Sequence, residues 1–250
     1  MYKGPRVAVY TGTRNIYEAM WGAAKSMLAV GGADEVWLFI EDAKFPFDTG
    51  DLPVHVRDVS GQRYFLKDGP NMQSGFTYMA MMRAVLAAEF PYLGRILALD
   101  CDAYAVRDCR GIWDLDLDAN GGYYLAAAYE PERCKPGANS LKYCNIGVCL
   151  YNLDLLRSTG KWLEVVDVLN RRKFDWLEQD AFSFLCQGRI LEMSSECNYC
   201  PPFVRKQREE DIVIRHFAGK KEWMKEKLAM AWTGMPVSEV KRIRAEVLGL

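Results

Sequence analysis

A chain of 250 residues, half of them hydrophobic, is long enough to bury one substantial core. Its formal net charge of −1 does not point to nucleic acid or an anionic membrane as the main partner. No run approaches the ~20 apolar residues of a membrane span, and Met1 to Arg6 lack the apolar core of a signal peptide.

Val7-Ala8-Val9-Tyr10 reads as a first strand, followed by the polar loop Thr11-Gly12-Thr13-Arg14-Asn15. A helix is expected over 16–30, with Asn15 and Glu18 as a capping box and Gly31-Gly32 as its end. Residues 35–40 and 54–58 read as second and third strands, so the chain opens as a parallel βαβ unit. The first loop holds a single glycine, which makes it neither a Walker loop nor a GxGxxG turn. A second helix spans 77–90, closed by Pro91. Strand-like residues recur at 123–129, 147–153 and 212–214, and helices at 162–174, 178–186, 221–231 and 237–248. Trp113 to Asp118 alternates leucine with aspartate and reads as a surface edge with one face buried. An EF-hand is excluded there, because 119 and 125 are Ala and Leu instead of Gly and Glu.

Arg95-Ile96-Leu97-Ala98-Leu99-Asp100-Cys101-Asp102 is the most informative stretch. Four apolar residues suit a strand buried on both faces of a parallel sheet, and ligands in such sheets bind beyond the carboxyl ends of strands. In extended chain, residues i and i+2 point the same way about 6.5 Å apart, so Asp100 and Asp102 can reach one cation. Only two histidines occur. His55 sits in an alternating strand and reads as an ordinary packed or surface residue, whereas His216 ends an apolar one. The eight cysteines are mostly isolated in apolar surroundings, as in a reduced cytoplasmic protein. Cys197-x-x-Cys200 lacks the second pair that a zinc site would need.

Several segments, in order, carry a resemblance. They are Leu99-Asp100-Cys101-Asp102; Ile112-Trp113-Asp114-Leu115-Asp116-Leu117; Cys144-Asn145-Ile146-Gly147-Val148; Glu178-Gln179-Asp180; and His216-Phe217-x-Gly219. Together, over roughly 6–223, they resemble the retaining glycosyltransferases of family 8, relatives of glycogenin and bacterial lipopolysaccharide galactosyltransferases. The resemblance implies an α/β GT-A fold: a single domain with a mostly parallel central sheet flanked by helices. Its core would be 6–223, with 224–250 as a C-terminal helical extension. It implies a UDP-hexose donor, a glycan, lipid-linked or other hydroxyl acceptor, and Mn²⁺, or alternatively Mg²⁺, held by Asp100, Asp102 and His216. Two carboxylates and an imidazole with diphosphate oxygens agree with such an ion.

By the same resemblance Thr11, Thr13, Asn15 and Tyr17 fall where the uridine is held, Tyr17 as a stacking face. Arg83, Cys101, Asn145, Gly219 and Lys221 fall along the donor, with Gly147 allowing close backbone approach. Glu178, Gln179 and Lys221 are the candidate catalytic residues: Glu178 to orient the sugar or attack it, Gln179 to steady it, Lys221 to meet the diphosphate. Two departures stand out: Glu222 replaces a proline in a segment one residue shorter than the family's, and Glu178 replaces an aspartate. Two other functions use similar folds. A nucleotidyltransferase would show a glycine-rich, basic first loop, and an inactive nucleotide-sugar-binding module would bind without turnover. Metal-dependent activity is expected to weaken below about pH 6.5, where an unperturbed histidine protonates.

Overall fold

A computed structural model describes residues 2–42, 44–72, 77–134, 141–200, 203–204 and 206–218. Nine strands fall within them: β1 Val7–Gly12, β2 Glu35–Ile40, β3 Val54–Asp58, β4 Arg95–Leu99, β5 Ala103–Ala105, β6 Leu125–Tyr129, β7 Cys144–Asn152, β8 Ile190–Glu192 and β9 Ile214–His216. Seven form one sheet in the order β3-β2-β1-β4-β7-β6-β8, and β5 pairs with β9 in a separate ribbon. All pairings in the large sheet are parallel except those of β7, which runs antiparallel to both β4 and β6. The expected mostly parallel sheet is therefore present, with one reversed strand beside the central β4.

The apolar runs of β1, β4 and β7 are buried along their whole length, apart from partly exposed Arg95 at the start of β4. This is what a sheet covered on both faces requires. One face packs Val7, Val9, Ile96, Ala98, Cys149 and Tyr151 under the Tyr78–Glu89 and 153–185 helices. The other packs Ala8, Tyr10, Leu97, Leu99, Val148 and Leu150 under the Tyr17–Ala29 helix. No helix among the described residues is long and apolar enough to cross a membrane.

Helix α1 is Tyr17–Ala29, preceded by a 3-10 turn over Arg14–Ile16. The expected Asn15–Glu18 capping box is corrected, since neither helical N-cap (Thr13 or Ile16) makes a side-chain cap bond. Asn15 lies inside the 3-10 turn and its Oδ1 accepts from the Thr13 hydroxyl. The other end follows the sequence: Gly31 at φ +67° lets its N–H reach Leu28 O while Gly32 N–H reaches Met27 O, each at 3.0 Å.

The 77–90 segment is helical but broken by a central 3-10 stretch. It runs as α2 Tyr78–Met81, Met82–Val85, then α3 Leu86–Glu89, with the Thr77 hydroxyl accepting from Met79 N–H. Further on come α4 Leu153–Ser158, α5 Lys161–Arg171 and α6 Leu177–Leu185. Leu117 is buried between exposed Asp116 and Asp118, as the 113–118 alternation implies, and Asp118 pairs with Arg95 at 3.0 Å. The expected strand at 212–214 is shifted to Ile214–His216. The helices expected at 221–231 and 237–248 lie outside the described residues.

Candidate functional site

Strand β4 delivers Asp100 to the carboxyl edge of the sheet, where its N–H donates to Gly147 O of β7 at 2.8 Å. The next residues are not extended. Ala103 N–H returns to Asp100 O at 3.0 Å, closing a turn. The convergence of Asp100 and Asp102 therefore comes from that turn and not from the i, i+2 geometry of a strand. The β5–β9 ribbon then places Ala103 opposite His216, and Phe217 N–H donates to Asp102 O at 3.1 Å. Long-range pairing thus brings the imidazole to the two carboxylates.

His216 Nε2 lies 3.3 Å from Asp100 Oδ2 and 3.4 Å from Asp102 Oδ1. Ligand atoms of all three residues lie within 4.8 Å of one another. His216 is buried, and its Nδ1 sits 2.8 Å from Asn198 Oδ1. The Asn198 amide nitrogen donates to Asn145, so its oxygen faces the histidine and must accept from Nδ1–H. In the neutral ring this leaves the lone pair on Nε2, a buried atom without a hydrogen-bond partner among the described residues. An unsatisfied nitrogen facing two carboxylates, oriented by a second hydrogen bond, is the donor set a divalent cation fits. Burial works against protonation of His216, but Asp102 and Asp100 outweigh it and raise its pKa well above the ordinary value.

Gly147 is where β7 passes beneath this cluster. A Cβ there would lie 2.2 Å from His216 Cε1 and 2.7 Å from Asp100 Oδ2. Gly147→Ala is therefore expected to displace both ligands and lower Mn²⁺ affinity at least tenfold while the protein stays folded, as calorimetry and circular dichroism would read. Unchanged affinity would mean that the ligands move aside freely.

A cleft of about 450 Å³ opens beside the cluster. Thr11, Thr13 and Asn15 line one end, Asp100, Cys101, Asp102 and His216 the middle, and Asn145, Glu178 and Gln179 the other wall. Tyr17 does not join them. It is 1% exposed, packs against Phe45 at 5.6 Å, and its hydroxyl accepts from Glu41 N–H at 3.1 Å. The expected stacking face is thus a core residue, because helix α1 turns that position into the sheet. Gly219 and Lys221 lie outside the described residues. His55 is on the far edge strand, packed against Trp37, as an ordinary residue.

Arg83 borders the cleft but is not solvated. It is buried, donating to Asp100 Oδ1 at 2.7 Å, to Ile146 O at 3.0 Å and to Glu178 Oε1. Burial works to raise the Asp100 pKa, yet the Arg83 and His216 charges outweigh it and hold the group ionised. For Glu178, burial wins over Arg83 and the pKa is raised. Glu178 Oε2 is buried without a hydrogen-bond partner among the described residues.

Four residues of the site escape the sequence reading. Glu130 follows β6 as Asp100 follows β4, so an acid at a strand's carboxyl end was the signal available for it. Asn198 had no local signal, since its role depends on β9 arriving beside it. Trp176 and Phe203, 6.4 Å apart, line the cleft and form an aromatic wall. Cys197 and Cys200 do not pair; all eight cysteines are free, Cys200 buried.

Residues 51–227, more than half the chain, match the family model described as glycosyl transferase family 8. No curated protein sequence gives a significant match. Similar solved structures include the galactosyltransferase LgtC with donor and acceptor sugar analogues (18% identity, TM-score 0.60, 96% of this chain and 95% of that one). They also include the glycosyltransferase GlyE of Streptococcus pneumoniae TIGR4 (18%, TM-score 0.66, 99% of this chain and 64% of that one). Mouse xyloside xylosyltransferase 1 is a third (15%, TM-score 0.64, 86% of this chain and 98% of that one). This chain spans 47% of WbbM, a bifunctional glycosyltransferase that it also resembles. At such identities the likeness to these structures is one of fold.

Proposed function

This chain belongs to glycosyl transferase family 8 and is a glycosyltransferase, and we propose that it moves a hexose, glucose or galactose, from a UDP-sugar to a hydroxyl acceptor with retention of configuration. The observation carrying this reading is the Asp100–Asp102–His216 cluster, with its unsatisfied Nε2, at the edge of a nucleotide-sized cleft. These residues would hold Mn²⁺, or Mg²⁺, which supplies positive charge to the departing diphosphate. The chemistry of the imidazole tilts the choice to Mn²⁺.

The remaining roles fall to the chain itself. Thr11, Thr13 and Asn15 offer short polar side chains to the nucleoside. Asn145, Glu130 and Gln179 face the sugar. Lys221, with Gly219 before it, would add a cation at the diphosphate. Trp176 and Phe203 favour a sugar ring as acceptor, since aromatic faces pack against the apolar face of a pyranose. Residues 6–223 would form one catalytic domain and 224–250 a helical extension. The eight free thiols support a cytoplasmic location.

Retention rests on the family membership, and the pairing of Glu178 with Arg83 bears on which retaining route is used. A carboxylate locked to Arg83 is a poor nucleophile, so same-face attack is favoured, with the β-phosphate of the leaving group taking the acceptor proton. Glu178→Gln is accordingly expected to slow transfer without trapping a covalent sugar. The first-formed product from an α donor should carry an α linkage by NMR; a β linkage would overturn the reading, and a sugar adduct on Glu178 by mass spectrometry would restore the covalent route. The function itself is tested with UDP-glucose or UDP-galactose and Mn²⁺. Slow release of free UDP, water standing in for the acceptor, supports a transferase. A requirement for pyrophosphate would point to a nucleotidyltransferase, and saturable binding without release to a module lacking turnover.

A further inference from the structure

Gln179 sits in a hydrogen-bond frame that leaves no freedom to its amide. Ile146 N–H, which can only donate, lies 3.2 Å from Oε1. Glu130 Oε1, which can only accept when ionised, lies 3.3 Å from Nε2. The second Nε2 hydrogen meets the Tyr143 hydroxyl at 3.2 Å. That hydroxyl accepts because its own hydrogen is used elsewhere, donated to Asp180 Oδ1 at 2.5 Å. Burial, with Asp180 next, raises the Tyr143 pKa, so the phenol keeps its proton. Both Nε2 hydrogens are thereby spent on the protein, and among the described residues one lone pair of Oε1 is the only valence left to a ligand.

The same carboxylate sets the backbone. Asp180 Oδ2 accepts from Trp176 N–H at 2.9 Å, reaching back to the N-cap of α6 as in a capping box. Between them Leu177 is held at φ +46°, a left-handed conformation uncommon for a leucine, and buried to 1% exposure. This turn aims the two residues that follow it, Glu178 and Gln179, into the cleft.

We propose that Asp180 and Tyr143 are positioning residues that fix the Gln179 amide with its oxygen toward the bound sugar, so that Gln179 meets the reaction as an acceptor and never as a donor. An amide oxygen so held presents partial negative charge where positive charge develops on the sugar, and it can accept from a sugar hydroxyl. In Tyr143→Phe the ring stays and only the relay is cut, freeing one Nε2 hydrogen. In Asp180→Asn the new amide can donate to Tyr143, turning the phenol hydrogen against Nε2 and favouring the reversed amide.

The inference rests on the transferase reading, which UDP release by the unaltered protein tests separately. Tyr143→Phe is expected to lower kcat about tenfold with donor KM within twofold and an unchanged melting temperature. In a Gln179→Ala background, read at proportionally higher enzyme concentration, the same substitution should change kcat less than twofold, because Tyr143 acts through Gln179. Asp180→Asn should also lower kcat at constant KM. An equal loss in both backgrounds, a loss carried by KM, or full activity of Tyr143→Phe would overturn the relay while leaving the transferase assignment standing.

Discussion

Asp102→Asn is expected to abolish Mn²⁺-dependent UDP binding, with at least a hundredfold loss of affinity by calorimetry and no loss of fold. The substitution is nearly isosteric but replaces an anionic ligand by a neutral one, and a lost ligand charge costs several kcal/mol. A folded variant with unchanged Mn²⁺ dependence would refute the metal site. The pH dependence follows from His216. In the metal-free protein its protonated form lies between Asp100 and Asp102, and its pKa is raised. That contribution to stability is fully present below the unfolded value of about 6.5 and is lost as pH rises through the higher folded value.

Metal binding has the opposite sign, since only the neutral ring has a lone pair to give. Apparent Mn²⁺ affinity should therefore rise about tenfold per pH unit and go on rising above pH 6.5, until the raised pKa is passed. The carboxylates thus move proton competition upward from where an isolated histidine would put it. In His216→Gln the remaining affinity should lose this dependence. A pH slope retained in that variant would assign the proton to another group.

Arg83→Met is expected to be the most destabilising single change at the site. Arg83 is enclosed between Asp100 and Glu178, and removing it leaves buried Glu178 without its counter-charge. Breaking a buried ion pair from one side costs about 3–5 kcal/mol, a large share of the stability of an ordinary domain. Adding Glu178→Gln should recover part of that loss, because the neutral amide removes the uncompensated charge. Denaturant titration of the four proteins measures the coupling. If the double variant were as unstable as the sum of the singles, Arg83 would act through packing alone.

The strands β1, β2 and β4 are legible as apolar runs, exposed β3 as an alternating one, and helix α1 ends at its glycines. The same local logic finds Asp100 and Asp102 at a strand's carboxyl end, and the ordered motifs add His216, Asn145 and Gln179. What pairing distant segments decides is different in kind. The reversal of β7, the Asp100–Ala103 turn and the β5–β9 ribbon bring His216 to the carboxylates, and no residue near His216 in sequence records that partner. Burial likewise reassigns individual side chains. Tyr17, a stacking face by resemblance, turns into the core, and Arg83, expected along the donor, borders the cleft with its guanidinium paired to Asp100 and Glu178. Glu130, Asn198, Tyr143 and Asp180 acquire their roles only from the hydrogen bonds that surround them. Sequence alone determines which groups can ligate, accept or carry charge; their orientation depends on neighbours far along the chain, because a buried polar atom takes its direction from whichever partner the fold supplies.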